Sequence, residues 1–298
     1  MTDQPNFWGT GVALVTPMKT DGTIDFDQLS RIIEHVITGG VEYIVSLGTT
    51  GEAVTLTTQE CKQVVRFTVG EVKGRIPVVA GLFGSNWTAK LVQYVRDFDF
   101  SGIDGILSSS PAYTKPSQEG LFQHYAALAR ESPVPIILYN VPGRTGMNIA
   151  PETMFRLAKT HTNIVAVKEA SASLDQIQKL TKHAPDHFTI LSGDDPSVLS
   201  HMVHGVKGAI SVIANAFPKT FSDMIRLGLD GKFADADVLH KQMQDIHSWL
   251  YVEGNPVGIK AALEYQGFGT RQVRLPLVPM SESNQAKLVA AIETSGLK

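Results

Sequence analysis

The strongest constraint on the fold is a series of eight short apolar segments, each followed by a stretch with helical periodicity. Several of them, such as Pro135–Leu138 and Ile164–Val167, are apolar almost throughout and do not alternate with polar residues. A strand needs this composition when both faces of its sheet are covered, as in a parallel sheet flanked by helices. The predicted strands are Gly11–Thr16, Glu42–Leu47, Ile76–Gly81, Ile103–Ser108, Val134–Tyr139, Asn163–Lys168, Phe188–Ser192 and Gly205–Ser211.

The segments between these strands place apolar residues on one helical face. Within Phe26–Thr38 the apolar side chains recur at the spacing of an amphipathic helix, as they do in Thr57–Val72 and Pro151–Thr160. Eight such βα units without a break in composition favour an α/β fold of the closed (β/α)8 TIM-barrel type. An open doubly wound sheet would need a G-x-G-x-x-G turn for a dinucleotide after an early strand, and the sequence has none.

From about Pro218 onward the pattern is helical and contains no convincing ninth strand. The predicted helices there are Phe221–Leu229, Phe233–Trp249, Val257–Tyr265 and Asn284–Thr294. We therefore predict two parts, a (β/α)8 barrel over residues 1–217 and a C-terminal helical region over residues 218–298. The helical region is expected to pack against the barrel or against another subunit.

Charge and cysteine content restrict the partners and the compartment. Only 18% of the residues are charged, the formal net charge is −3, and no block of lysines or arginines is present. These features argue against binding to nucleic acid or to an anionic membrane. A single cysteine, Cys61, cannot form an internal disulfide and fits a reducing compartment. Met1–Asn6 lacks the pattern of a signal peptide, and no apolar run approaches the ~20 residues of a membrane span, so a cytoplasmic protein is expected.

The ends of the predicted strands carry polar residues that a barrel would bring to one mouth. The second strand runs into G-T-T-G-E, in which the hydroxyls of Thr49 and Thr50 would hold a carboxylate or simply belong to a turn. Tyr113 follows the fourth strand, either as a proton donor or as an aromatic cap on the core. Arg144 follows a Pro-Gly turn after the fifth strand, where it would bind a carboxylate or phosphate, or simply face solvent.

Lys168 is the most informative of these residues because it ends an otherwise apolar strand. A lysine at a strand end often only extends towards solvent. If the barrel mouth shields its amine from water, however, burial disfavours the charged form and leaves a neutral amine that can attack a ketone. The phenol, hydroxyls and arginine at the other strand ends are the groups that such Schiff-base chemistry needs, for proton transfer and for the carboxylate of a keto acid.

No metal site is predicted. Asp194 and Asp195 follow the seventh strand, but an Asp-Pro step before a helical segment is typical of a helix start, so we expect one of them to cap that helix. His201 and His204 lie on the same predicted helix, without the further Cys, His or carboxylate ligands of a zinc site.

Together the strand ends resemble those of the dihydrodipicolinate synthase family, the class I pyruvate-dependent aldolases whose superfamily includes N-acetylneuraminate lyase. The combination of G-T-T-G-E, Y-N-V-P-G-R-T and V-K-E-A at the ends of the second, fifth and sixth strands is highly specific. The resemblance covers nearly the whole chain, and its further matching segments are Gly11–Met18, Gly74–Val78, Pro116–Gly120, Val252–Pro256 and Arg274–Pro276.

The resemblance implies a role for each catalytic position. Lys168 would form the Schiff base with pyruvate, and Tyr139 would shuttle protons at the imine and enamine. Thr49 and Tyr113 would complete a proton relay to solvent, with the second tyrosine supplied by the neighbouring subunit of a homo-oligomer, a tetramer or a dimer. No cofactor is implied, because the protonated imine is itself the electron sink.

The resemblance also implies the binding residues. Thr50, with its backbone amide, would hold the pyruvate carboxylate, and Gly193 and Ile210 would shape the pocket through backbone groups. Arg144 would bind the carboxylate of the second substrate, which favours L-aspartate 4-semialdehyde. The implied reaction joins this aldehyde to pyruvate, giving 4-hydroxy-tetrahydrodipicolinate for lysine and diaminopimelate synthesis. Two alternatives remain, namely a related pyruvate lyase that cleaves a sugar-derived 2-keto acid and a non-catalytic barrel that binds a keto acid.

One departure from the family pattern concerns inhibition by L-lysine. Many members have two tyrosines after the proline of the fourth strand, where this chain has Ala112 before Tyr113. The ammonium group of a lysine ligand would be repelled by a lysine in its cleft. The residues that match the lysine-binding cleft of inhibited members are Thr58, Cys61, Ala112, Asn86 and Lys90. From these residues we expect weak or no inhibition by L-lysine.

Overall fold

Residues 7–297 are described by the computed structural model, in which eight parallel strands pair in sequence order. β1 also pairs with β8, which closes the sheet and confirms the predicted (β/α)8 barrel. The strands are β1 (Gly9–Ala13), β2 (Tyr43–Ser46), β3 (Val78–Ala80), β4 (Gly105–Ser109), β5 (Ile136–Asn140), β6 (Ile164–Glu169), β7 (Thr189–Ser192) and β8 (Gly208–Ser211).

Helices follow the strands and form the outer layer, and local capping signals fix where several of them begin. The helix over residues 58–72, for example, begins after Thr57, whose hydroxyl accepts the N–H of Glu60 while the Glu60 carboxylate accepts the N–H of Thr57. The helices are α1 (Phe26–Thr38), α2 (Thr58–Val72), α3 (Thr88–Arg96), α4 (Gln118–Glu131), α5 (Pro142–Thr145), α6 (Pro151–Thr160), α7 (Leu174–His183), α8 (Val198–Val203), α9 (Pro218–Leu229), α10 (Phe233–Leu250), α11 (Val257–Tyr265) and α12 (Glu282–Ser295).

Two apolar layers explain why the strands are apolar throughout. Successive side chains of a strand point to opposite faces of the sheet. On β5, Ile137 and Tyr139 belong to the cluster inside the barrel, whereas Ile136 and Leu138 belong to the cluster between the sheet and the helices. Both faces of the strand are therefore buried, and polar residues are left to the strand ends.

The helices after β8 cover one side of the barrel. α9 packs against β1, β8 and α10, and α10 packs against α12. The division into residues 1–217 and residues 218–298 stays a prediction, because α9 packs on both parts. No helix within residues 7–297 is long and apolar enough to cross a membrane. The segment Met1–Asn6, on which the signal-peptide expectation rests, lies outside the described residues.

Candidate active site

Lys168 and Tyr139 lie side by side at the carboxyl ends of neighbouring strands. The register of β5 and β6 pairs the two residues directly. The Lys168 amine lies 4.6 Å from the centroid of the Tyr139 ring, and only 5% of the lysine and 7% of the tyrosine is exposed. An amine and a phenol thus share a site that is largely closed to water.

Gly193, just beyond β7, leaves room for the lysine side chain. A Cβ at this position would lie 3.0 Å from Lys168 Cε and 2.7 Å from the Cβ of Ala170, which is closer than packed carbon atoms normally come. Ile210, on β8, is buried in the same interior cluster as Tyr139. Gly193 therefore borders the lysine directly, and Ile210 belongs to the layer that surrounds the tyrosine.

The G-T-T-G-E segment after β2 forms a tight turn at the same mouth. The Thr16 hydroxyl donates to the Gly51 carbonyl at 2.7 Å and anchors the turn to the segment that follows β1. Thr50 is buried, and its hydroxyl accepts a hydrogen bond from the side-chain amide of Asn255 at 3.0 Å. Thr49 is only partly buried and faces the cavity described next. The contact of Asn255 was not anticipated, although its V-E-G-N-P segment is one of the motifs that carry the family resemblance.

A cavity of about 570 Å³ opens at this end of the barrel. Its lining includes Thr49, Tyr139 and Arg144, which come from the loop after β2, from β5 and from α5. The Arg144 side chain is exposed at the rim, and it forms no ion pair with an acidic residue in the described part of the chain. Its guanidinium is therefore available to an anionic group that enters the cavity.

Tyr113, the second tyrosine expected at the site, does not line this cavity. It is 91% exposed and lies in the loop between β4 and α4, where its N–H donates to the Thr145 carbonyl at 3.2 Å. The backbone at Tyr113 has a positive φ of 67°, a conformation that non-glycine residues rarely adopt. The ring therefore faces solvent and takes no part in the wall of the chain's own cavity.

A buried polar network fixes the ends of β5 and β6, and it was not anticipated. The side-chain amide of Asn140 donates to Glu169 at 2.8 Å, and that of Gln176 donates to the same carboxylate at 2.7 Å. Asn140 and Glu169 directly follow Tyr139 and Lys168 in the chain. The network therefore holds together the two strand ends that carry the amine and the phenol.

A buried ion pair connects the turn after β2 to the C-terminal helices, and it was also missed. The Lys260 amine on α11 donates to Glu52 and, at 2.9 Å, to the carbonyl of Gln272. The other Glu52 oxygen accepts the N–H of Arg274 at 3.1 Å. Burial lowers the pKa of Lys260, and the charge of Glu52 opposes that effect. No local sequence signal indicates this pair, because its members are far apart in the chain.

The expectation that Asp194 or Asp195 caps the helix after β7 is wrong. α8 begins after Ser197, and no side chain makes a capping hydrogen bond there. The Asp195 carboxylate instead accepts the backbone N–H groups of Val212 and Ile213, just after β8. This oxygen therefore binds the neighbouring strand end and not the first turn of α8. Within residues 7–297 no group of three or more His, Cys, Asp or Glu side chains could hold a metal ion.

The cavity extends into a cleft whose residues match, by the sequence resemblance, the lysine-binding cleft of inhibited family members. Its lining there includes Thr58, Cys61, Lys90 and Ala112. Asn86 accepts the N–H of Ala112 at 2.7 Å and so supports the loop beside the cleft. Lys90 thus gives this cleft a positively charged side chain. The expected weakness of inhibition by L-lysine stays a prediction.

Comparisons with known proteins place this geometry in a family. The model of the dihydrodipicolinate synthetase family matches residues 6–295. A 4-hydroxy-tetrahydrodipicolinate synthase from Parabacteroides distasonis is 46% identical over 274 residues, which cover 92% of this chain and 92% of that protein.

Solved structures give the same result. The crystal structure of dihydrodipicolinate synthase from Aquifex aeolicus is 40% identical with a TM-score of 0.93, over 98% of this chain and 99% of that one. The chloride-inhibited dihydrodipicolinate synthase from Acinetobacter baumannii, solved in complex with pyruvate, is 36% identical with a TM-score of 0.94, over 98% of this chain and 100% of that one. The chain therefore belongs to the dihydrodipicolinate synthetase family.

Proposed function

We propose that this chain condenses pyruvate with L-aspartate 4-semialdehyde to 4-hydroxy-tetrahydrodipicolinate, for lysine and diaminopimelate synthesis. The observation that carries the proposal is Lys168, a residue that is only 5% exposed and whose amine lies 4.6 Å from the centre of the Tyr139 ring. The name shared by its relatives, 4-hydroxy-tetrahydrodipicolinate synthase, supports the product. The pyruvate complex of a similar protein supports the first substrate.

The first half of the reaction builds a nucleophile from pyruvate. The Lys168 amine attacks the ketone carbon, and loss of water gives a protonated imine. The imine withdraws electrons, so a methyl proton is lost and an enamine forms. Tyr139 would move protons at these steps, and Thr49 at the cavity wall would pass them on. Because the protonated imine is the electron sink, the proposed route needs neither a metal nor an organic cofactor.

Two groups would hold the carboxylates of the substrates. The buried turn that contains Thr50 offers a hydroxyl and backbone N–H groups to the pyruvate carboxylate, and Asn255 keeps that hydroxyl in place at 3.0 Å. Arg144 at the rim, without an ion-pair partner in the described residues, would bind the carboxylate of the aldehyde in bidentate fashion.

The second half of the reaction uses this second substrate. The enamine carbon adds to the aldehyde carbon and returns the bound intermediate to the imine. The amine of the aldehyde substrate then attacks the imine carbon, and the bond to Lys168 breaks. The ring product leaves with both carboxylates, and the free amine of Lys168 is restored for the next cycle.

The exposed position of Tyr113 supports a homo-oligomer, either a dimer or a tetramer, as the working form. A ring that is 91% exposed and does not line the cavity of its own chain could complete the proton relay in the site of a second subunit. We also expect the enzyme to work in the cytoplasm, since its one cysteine is free and a reducing compartment suits it.

Trapping with borohydride tests the Schiff base. After incubation with pyruvate and reduction, we expect intact mass spectrometry to show one reduced pyruvate per chain, and peptide mapping to locate it on Lys168. Lys168→Ala should lose both the adduct and turnover, whereas Lys179→Ala on the exposed face of α7 should keep both. An adduct on another lysine, or no adduct, would contradict the proposal.

Arg144→Ala tests the second substrate. We expect this variant to form the pyruvate adduct normally but to show a KM for L-aspartate 4-semialdehyde raised by about tenfold or more, because a charge-assisted bidentate contact is lost. Unchanged kinetics with the aldehyde would mean that the substrate assignment is wrong.

A further inference from the structure

Asp195 is a buried carboxylate that the mechanism above does not use. It lies in the turn after β7 and is only 2% exposed. Its Oδ2 accepts the backbone N–H groups of Val212 and Ile213, each at 2.8 Å. The hydroxyl of Tyr251, which directly follows α10, donates to the same oxygen at 3.2 Å. Three donors from two distant parts of the chain thus converge on one oxygen.

The second oxygen of this carboxylate is buried without a hydrogen-bond partner among residues 7–297. Burial raises the pKa of the Asp195 carboxyl above its ordinary value, and the backbone N–H groups, the nearby Ser211 hydroxyl and the charge of Lys168 offset only part of that rise. The donors therefore favour the ionised form, and one oxygen of that anion remains unused. An unpaired buried charge is costly, so a cation is expected to face it.

The side chain of Lys168 lies beside this turn. β6 and β7 pair Lys168 with Leu191, and the chain then passes through Gly193 to Asp195. The lysine side chain runs along Gly193, since a Cβ there would lie 3.1 Å from Lys168 Cγ and 3.0 Å from Lys168 Cε. Asp195 therefore lies two residues beyond the glycine that the Lys168 side chain borders, and the charge of Lys168 lowers the pKa of its carboxyl.

The other titratable groups around Asp195 leave this pairing intact. The end of β8 contributes the Ser211 hydroxyl, the next two residues contribute their backbone N–H groups, and the C-terminal region contributes the phenol of Tyr251. Burial, and next the charge of Asp195, raise the pKa of Tyr251, with smaller effects from Asp194 and Tyr139. Tyr251 therefore stays protonated and acts as a donor, which leaves Lys168 as the cation that acts on Asp195.

We propose that Asp195 is a positioning residue that supplies the negative charge opposite the Lys168 nitrogen when that nitrogen becomes a protonated imine. The inference rests on the proposed Schiff-base function. A carboxylate that three donors already hold in place needs no reorganisation when positive charge develops, which is the condition for strong electrostatic stabilisation. Because Tyr251 is one of those donors, the C-terminal region takes part in the chemistry through this residue.

Asp195→Asn separates charge from shape. The amide oxygen can still accept the N–H groups of Val212 and Ile213, but the negative charge is gone. The measurement is made at alkaline pH, where adduct formation no longer depends on pH because the free amine is uncharged. There we expect the half-saturating pyruvate concentration for the borohydride-trapped adduct to rise by about tenfold. The acid limb of the pH profile for adduct formation should move to lower pH, because the ammonium form loses the same neighbour.

The matched control is Asp175→Asn, which removes an exposed carboxylate from α7 and should change neither quantity. An Asp195→Asn variant with the wild-type pyruvate dependence and an unmoved acid limb would overturn the proposal. If that variant does not fold, Tyr251→Phe decides the question, because it removes one of the three donors that hold the carboxylate in place. The half-saturating pyruvate concentration for the trapped adduct should then rise by a smaller amount, and an unchanged value also refutes the positioning role of Asp195.

The two proposals fail in different ways. If the wild-type protein forms no pyruvate adduct on Lys168, the Schiff-base function fails, and the role of Asp195 fails with it. If the wild type forms the adduct normally and Asp195→Asn does so equally well, only the role of Asp195 is refuted.

Discussion

The buried ion pair between Lys260 and Glu52 permits a quantitative prediction of stability. Both side chains are only 1% exposed. Replacing Lys260 by methionine keeps most of the aliphatic volume but leaves the Glu52 carboxylate buried without its cation. Removing one partner of a buried pair costs about 3–5 kcal/mol of the free energy of unfolding. For a chain of this size, we expect the midpoint of thermal unfolding to fall by about 10 °C.

A double-mutant cycle distinguishes this electrostatic cost from lost packing. Glu52→Gln combined with Lys260→Met removes both charges and should recover most of the stability that Lys260→Met loses. The measurement is urea unfolding followed by circular dichroism at one fixed protein concentration, because association of subunits would also contribute to stability. Lys179→Met, which breaks an exposed pair on α7, should leave the unfolding midpoint unchanged.

Two results would refute the reasoning about this pair. The first is a Lys260→Met variant as stable as the wild type, which would mean that Glu52 finds another partner or takes up a proton without cost. The second is a double variant that loses the sum of the two single losses, since independent effects add and coupled ones do not.

Three further predictions concern the site, the pH dependence and regulation. Gly193→Ala should slow trapping of the pyruvate adduct far more than it lowers the unfolding midpoint, because its Cβ would fall 3.0 Å from Lys168 Cε; adduct formation at the wild-type rate would contradict this. Burial lowers the pKa of His124 and of His247 to about 4 from 6.5, so between those values the unfolded state binds more protons than the folded state. The free energy of unfolding should therefore be greatest above pH 6.5 and fall as the pH drops towards 4, and a flat urea-unfolding profile would count against it. L-Lysine should inhibit weakly or not at all because Lys90 lines the cleft, and half-inhibition at a submillimolar concentration would show the opposite.

The periodicity of the sequence predicts the barrel because each element is encoded locally. The bounds of Phe26–Thr38, Pro151–Thr160 and Val257–Tyr265 agree with the structure, since each segment has a clear apolar face and a clear end. The sequence predicts the first strand at Gly11–Thr16, whereas β1 spans Gly9–Ala13. Apolar composition continues past the end of this strand because residues 14–16 are also buried, so burial alone cannot mark where the pairing stops.

The site was predictable where its residues stand in short motifs at strand ends. Lys168 and Tyr139 could be placed together because the carboxyl ends of parallel strands meet at one mouth. Asp195 could not be interpreted in this way. The Asp-Pro step is a local helix signal, but the donors that bind its carboxylate come from residues 212, 213 and 251, and no short segment contains both sides of that contact.

The contacts of the C-terminal region show why its role was underestimated from the sequence. Its helical periodicity indicates only that it packs on something, yet three of its side chains each bind a different residue near the mouth: Tyr251 to Asp195, Asn255 to Thr50, and Lys260 to Glu52. All three lie in or next to the connection between α10 and the start of α11, so one rigid segment fixes both the turn after β2 and the turn after β7. Because the Lys168 side chain borders Gly193 in the turn after β7, a change that loosens this segment should disturb the chemistry before it unfolds the barrel. The helices after β8 are therefore better regarded as part of the active-site scaffold than as an appendage to it.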